Sequence, residues 1–180
     1  MKSFKILAIC FSFLFVGGYQ VIAQEEEKEK DYARDPFESS ILIDNQTVIV
    51  PYAKTLQWDL VHRFGTIQNG KSDLYGLYGD GANIRMGLNY SVKDNLAIGV
   101  GFSKLNSYVD LNLKYAILKQ TKDWSMPVSL TFYGNMAIDS RDEEVFEGVF
   151  QREASLVGRA STFSEIIIAT RVNKRLSLQL

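Results

Sequence analysis

Thiolate and imidazole chemistry have little to work with in this 180-residue chain, which carries one cysteine and one histidine. The cysteine, Cys10, lies in an amino-terminal leader. Once that leader is removed, the chain can form neither an internal disulfide nor a thiolate metal site. Beyond residue 24 the sequence also lacks any apolar run of the roughly 20 residues that a membrane-crossing helix needs. Entry into a bilayer would therefore require strands whose backbone groups pair with one another in a closed sheet. A surplus of one charge is missing too, since 20 Lys and Arg stand against 21 Asp and Glu. Loss of Lys2 and Lys5 with the leader makes the mature chain mildly acidic, and nothing in this balance points to nucleic acid as a partner.

What is present begins with the leader itself. Lys2 and Lys5 precede an apolar run over residues 6–19, and Val21, Ile22 and Ala23 supply the small or aliphatic residues that a signal peptidase reads. Residues 1–23 thus read as a secretory signal peptide cut after Ala23. The apolar run is too short for an uncleaved anchor. Leu7-Ala8-Ile9-Cys10 is only a loose match to a lipobox, with almost no apolar sequence before it. Export without disulfides fits the periplasm and outer membrane of a Gram-negative envelope. Residues 24–36 carry a charged run with too little apolar surface to fold, so a disordered lead-in is expected, a docking peptide being the alternative. The remainder, residues 37–180, is enough for one domain.

Within that domain, period-two alternation recurs. In residues 83–92, Ile84, Met86, Leu88, Tyr90 and Val92 point one way while Asn83, Arg85, Gly87, Asn89 and Ser91 point the other. Residues 55–64 do the same with Leu56, Trp58, Leu60 and Phe64, and place His62 on the apolar side. After the tight turn Lys93-Asp94-Asn95, residues 96–103 set Leu96, Ile98, Val100 and Phe102 against alanine, glycine and serine. Residues 108–118, 127–138 and 162–172 continue the pattern, and Leu176, Leu178 and Leu180 start a further strand. Residues 41–50 read as a small hairpin or short strand, broken at Asp44-Asn45-Gln46 and stopped by Pro51.

Strands of about ten residues with one apolar and one polar face suit lipid on one side and a lumen on the other. A soluble sandwich or a lipocalin-like barrel would show similar alternation with its apolar faces turned inward. Four features favour the membrane: strand length, the Gly, Ser, Ala and Asn of the polar faces, aromatics near strand ends such as Trp58, Phe64, Tyr90, Phe102 and Tyr108, and loop parity. The long connections, residues 66–82 and 139–161, fall on the same end, as expected when the amino terminus starts in the periplasm. The expected fold is all-β: an antiparallel up-and-down transmembrane β-barrel. It is expected to be incomplete, an open curved sheet of about seven strands, because strand number is odd and the last strand is short.

The segments His62-Arg63-Phe64-Gly65, Gly81-Ala82-Asn83-Ile84-Arg85-Met86-Gly87-Leu88-Asn89-Tyr90 and Gly99-Val100-Gly101-Phe102, followed by Leu113-Lys114-Tyr115, carry a resemblance in their order along the chain. With them the sequence resembles a family of predicted bacterial outer-membrane β-barrel proteins of unknown function, over most of residues 37–180. Members are usually longer. The resemblance implies a fold and a location, and transfers no catalytic residue.

Candidate chemistry is sparse. His62 could serve a triad only with an orienting carboxylate, but Asp59 points to the opposite face, so an interfacial side chain is expected. Asp59, Arg63, Arg85, Asp110 and Lys114 lie on polar faces, where a lumen-filling charge network is expected over a channel lining. Asp139, Asp142, Glu143, Glu144 and Glu147 match no calcium-loop spacing and read as a solvated loop. Gly99-Val100-Gly101 lies inside a strand, where glycine relieves crowding rather than cradling phosphate.

No cofactor or metal is implied. The expected partner is the lipid bilayer of the outer membrane, with a small solute as a further option. The expected role is a non-enzymatic pore or surface scaffold. A soluble or surface-exposed small-molecule-binding barrel is the alternative. A membrane enzyme ranks last, since Ser72 and Ser107 have no visible base. The truncation is testable at the gene: further alternating segments are expected beyond residue 180, and a stop codon with none after it counts against them.

Overall fold

The computed structural model describes residues 31–43, 45–78, 81–145 and 155–180. The signal segment with its cleavage site after Ala23, and residues 24–30 of the lead-in, lie outside the described residues. A two-residue pair of strands, β1 (Ile41–Leu42) and β2 (Asn45–Gln46), forms a miniature hairpin. Seven strands follow: β3 (Leu56–Arg63), β4 (Asn83–Lys93), β5 (Leu96–Ser103), β6 (Tyr108–Leu118), β7 (Ser129–Asp139), β8 (Ala160–Arg171) and β9 (Ser177–Gln179). They pair antiparallel in sequence order, β3 and β9 forming the edges of an open, curled sheet, an incomplete barrel. The expected up-and-down architecture is the observed one.

Register carries the alternation across the sheet. Trp58, Leu88, Val100, Leu111 and Met136 stand opposite one another on consecutive strands and make one apolar row. The next row, one residue on, reads Asp59, Gly87, Gly101, Asp110 and Ala137 on the other face. A one-residue slip would exchange the two faces, so side-chain polarity and hairpin turns enforce the same pairing. Lys93 pairs with Leu96 across the two-residue turn Asp94-Asn95, as a tight hairpin requires.

Burial is inverted relative to a soluble fold. Leu56, Trp58, Met86, Leu88, Ile98, Phe102, Leu111 and Leu113 are exposed, while Ser91, Asp110, Lys114, Ser129 and Thr131 on the opposite face are buried. No helix among the described residues is long and apolar enough to cross a membrane. An eleven-residue strand such as β6 rises about 35 Å and, tilted by about 45°, spans about 25 Å, the height of a lipid-facing band.

At the end carrying the long connections, residues 64–78 fold back on themselves. Thr66 caps a 3-10 segment, Ile67–Asp73, by accepting the Gln68 N–H. Gly65 N–H donates to the Gly76 carbonyl at 2.8 Å. Gly76 has φ of 86°, and a Cβ there would stand 2.6 Å from the Gly65 carbonyl oxygen. At Gly70, φ is 60° and nothing lies within 4 Å of an added Cβ. Gly76→Ala is expected to cost about 1–3 kcal/mol and to speed proteolysis within the loop, with Gly70→Ala milder on both measures. Urea unfolding in detergent and limited proteolysis check this, and equal effects from the two substitutions would refute it.

Candidate functional site: a filled concave face

The sheet's polar face is occupied by the chain's own amino-terminal segment. It arrives at the short-turn end, where Tyr32 bridges to Thr121, Ala33 N–H donates to Gln120 O (2.9 Å) and Arg171 Nη1 donates to Asp35 O (3.0 Å). Residues 37–40 run inward to the β1–β2 hairpin, and residues 47–51 return to the same end. There Ala53 N–H donates to Asp94 Oδ1 at 2.7 Å. Two small apolar contacts seat the return limb. Val48 packs with Ile167 and Ala169, and Val50 with Ala97 and Ala116. Thr47 and Thr131 are wholly buried, and Thr131 Oγ1 donates to the Val48 carbonyl at 2.8 Å.

The charged residues divide their tasks. Arg85 on β4 reaches across β5 to Asp110 on β6, Nε donating to Oδ2 at 2.9 Å and Nη2 to Oδ1 at 2.6 Å. The path exists because Gly101 lies between them: a Cβ there would fall on the Arg85 guanidinium and the Asp110 carboxylate. Asn135 adds an N–H to Asp110 Oδ1 at 3.0 Å. Asp59 accepts from Gln57 Nε2 at 2.6 Å and from Asn89 Nδ2. Asn89 and Asn112 meet over Gly99, the second inward glycine.

Lys114 is 4% exposed and donates to the Ser40 carbonyl (2.8 Å) and Gln46 Oε1 (3.1 Å), so it holds the inserted segment. Arg63 is exposed and borders, with Arg85 and Tyr133, a cavity beneath the hairpin tip. The four residues Asp59, Arg85, Asn112 and Lys114 line a space of about 30 Å³, room for about one water molecule. A larger cavity, about 800 Å³, lies between the two limbs of the segment near the short-turn end, bordered by Tyr32, Asp35, Glu38, Tyr52 and Lys119.

Outside the strands, burial pushes the Asp35 carboxyl above its ordinary value, nearby Lys119 pulling it partly back and Glu38 adding to the rise. In the β6–β7 connection, the hydroxyls of Thr121 and Ser125 hold the Asp123 carboxyl below the usual range. At the opposite end Arg141 grips Asp139 with its Nε (3.0 Å) and Nη2 (2.6 Å). Asp142, Glu143 and Glu144 are exposed, and Glu147 lies outside the described residues.

His62 sits on the apolar face, its Nε2–H donating to the Leu77 carbonyl at 3.1 Å and its ring 4.5 Å from that of Phe64, edge to face. Asp59 is on the other face, hydrogen-bonded to amides. Ser72 Oγ donates to Asn69 O at 2.7 Å, and the Ser107 carbonyl accepts from Ser140. These groups form no nucleophile, base and carboxylate chain.

The family model described as "Membrane bound beta barrel domain (DUF5777)" matches residues 37–180. The chain belongs to this family of membrane-bound β-barrel domains. No curated protein and no solved structure matches it. The outward apolar rows are thus the membrane-facing surface of a β-barrel domain, and the match takes in the inserted segment from Phe37 onward. That assignment gives the Arg85–Asp110 pair its importance, because it is an inward pair whose guanidinium would lose its bidentate partner and keep only the attraction of Asp59. Asp110→Ala is expected to destabilise the domain by about 3–5 kcal/mol, since it leaves a desolvated charge without its partner. Urea unfolding in detergent measures it, and a loss below about 1 kcal/mol, the level of an exposed pair, would show the bridge to be solvated.

Proposed function

We propose that the protein is an exported, non-enzymatic β-barrel of the outer membrane that is closed at rest and serves as a surface scaffold. The observation carrying this reading is the occupation of the concave face by residues 37–51, which leaves about 30 Å³ beside Asp59 and Lys114 and about 170 Å³ beside Arg63 and Arg85. A conduit needs a continuous water-filled path lined by side chains that exchange with solute. Here Lys114 spends its hydrogen bonds on the segment, and Arg85 and Asp110 spend theirs on each other. The loop over residues 64–78, ordered by its own hydrogen bonds and presenting exposed Ile67, Tyr75 and Tyr78, supplies a shaped surface at the long-connection end. Export is supported by the leader over residues 1–23, and the outer membrane by the parity of the long loops.

A second reading, a small-molecule-binding barrel, draws on the cavity of about 800 Å³ between the limbs of the segment. Its lining mixes Tyr32, Phe37 and Tyr52 with Arg34, Asp35, Glu38, Gln57 and Lys119, so polar groups would meet a ligand there at least as much as apolar walls.

Planar-bilayer recording on the whole protein separates scaffold from pore. No steady conductance is expected from the native chain, and a persistent ohmic channel would replace the scaffold with a pore. Fractionation tests the location: recovery with outer-membrane lipid is expected, and recovery in the soluble periplasm would end this reading.

A further inference from the structure

The connection from β3 to β4 satisfies its hydrogen bonds from within and leaves large apolar side chains uncovered. Thr66 Oγ1 accepts the Gln68 N–H (3.2 Å), Ser72 Oγ donates to the Asn69 carbonyl (2.7 Å), Asn69 Nδ2 donates to Asp73 Oδ2 (3.0 Å) and Asp73 Oδ1 accepts the Gly76 N–H (3.0 Å). Phe64, Ile67, Leu74, Tyr75 and Tyr78 are all exposed, in a run of fifteen residues that also exposes Gln68 and Lys71. Such a mixed surface suits the boundary between headgroups and acyl chains, where a tyrosine hydroxyl or a lysine ammonium can reach water while the rest of the side chain lies in oil.

The backbone is bent to present two of these residues. Leu74 stands at φ of 53° and ψ of 46°, and Tyr75 at φ of 59°, successive left-handed positions that bulky side chains avoid. Tyr75 N–H donates to the Gly70 carbonyl at 2.7 Å and Tyr78 N–H to the Asp73 carbonyl at 3.2 Å, which holds the turn. A loop turned to water would place asparagine or glycine there, since both adopt this backbone readily and neither exposes apolar surface.

The loop also continues the membrane-facing surface. Leu56, Trp58 and Leu60 form the exposed outward file of β3, and His62, next in that file, is half-buried. Its Nε2 meets the Leu77 carbonyl at 3.1 Å and its ring packs on Phe64, so the loop leans onto the outward flank of the strand. Apolar surface thus passes from Leu60 through Phe64 into the loop, and the lipid that covers the one reaches the other. Aromatic side chains at this level are the usual girdle of a membrane barrel.

We infer that residues 64–78 form a membrane anchor: the loop lies on the headgroup layer at the long-connection end and sinks Ile67, Leu74, Tyr75 and Tyr78 into its boundary with the acyl chains. Lipid is then the partner of a surface that the scaffold reading leaves without one, and this holds for any role of the barrel whose apolar rows face lipid.

Cys10→Ser leaves the whole chain without cysteine, so single nitroxide labels can be placed at Ile67→Cys and Tyr78→Cys, with Leu88→Cys as the strand reference and Asp142→Cys as the reference in water. In phosphatidylcholine vesicles the ratio of oxygen to nickel-complex accessibility at 67 and 78 is expected to be roughly threefold or more above that at 142, for labels lying about 5–10 Å into the boundary. A water-like ratio at 67 and 78 with a lipid-like one at 88 would overturn the anchor alone, and a water-like ratio at 88 would overturn the membrane-facing rows with it. Labels at 67 and 78 shielded from both probes would put protein over the loop, and so would also overturn the anchor. Trypsin cleavage after Lys71 gives an independent readout. Leu74→Asn/Tyr75→Asn relieves the left-handed strain but removes the apolar contact, and is expected to speed cleavage in vesicles roughly fivefold by easing local opening. Unchanged or slower cleavage is the behaviour of a loop in water and would overturn the anchor.

Discussion

Hydrocarbon offers no hydrogen bonds, and that constraint governs the whole molecule. A strand can enter lipid only if its N–H and C=O groups are paired sideways and its outward side chains are apolar. The first condition is met between neighbours in the antiparallel meander from β3 to β9, the second by rows such as Trp58, Leu88, Val100, Leu111 and Met136. With His62 at a strand end as an exception, most polar side chains of the strands are then turned inward. There the usual logic of a protein core reverses, and serine, threonine, aspartate and lysine become the buried residues.

An inward polar face must satisfy itself, and this one does so by two devices. Inward glycines open space where long side chains cross: Gly101 lets Arg85 reach Asp110 two strands away, and Gly99 lets Asn89 and Asn112 approach each other. The inserted segment supplies carbonyls and amides to inward side chains of β6, β7 and β9. The apolar contribution of that segment is small, Val48 and Val50 being its fully buried hydrophobic residues. Its seat therefore depends more on hydrogen-bond satisfaction than on a conventional hydrophobic core.

Much of the sheet was legible residue by residue. The alternation in residues 83–92 and 108–118 returns as β4 and β6, each with the predicted outward set, because lipid on one side writes a period of two into the sequence. His62 falls on the apolar side as the spacing requires, and its partner is the carbonyl of Leu77 in the following loop. The charged residues of the polar faces were identifiable, but their partners were not. Alternation says that Arg85, Asp110 and Lys114 point inward. It does not say that the first two join, nor that the third turns to a main-chain carbonyl 74 residues away. The one local trace was the glycine pair in β5. Residues 41–50 read as a small hairpin or a short strand, and a hairpin is found in which Ile41 and Leu42 pair with Gln46 and Asn45, yet nothing in that stretch announces a place inside the sheet, since its partners Thr131 and Gln179 are distant in the chain.

By itself the sequence determined which flank of each strand meets lipid and, through short turns such as Asp94-Asn95, which strands are neighbours. Both are local matters, settled by side-chain period and by the few residues that can close a hairpin. Only the tertiary structure decided which charges pair and what fills the concave face. Those contacts exist only after curvature has brought groups such as Gln46 and Gln179, 133 residues apart, within hydrogen-bond reach, and no window of sequence contains both.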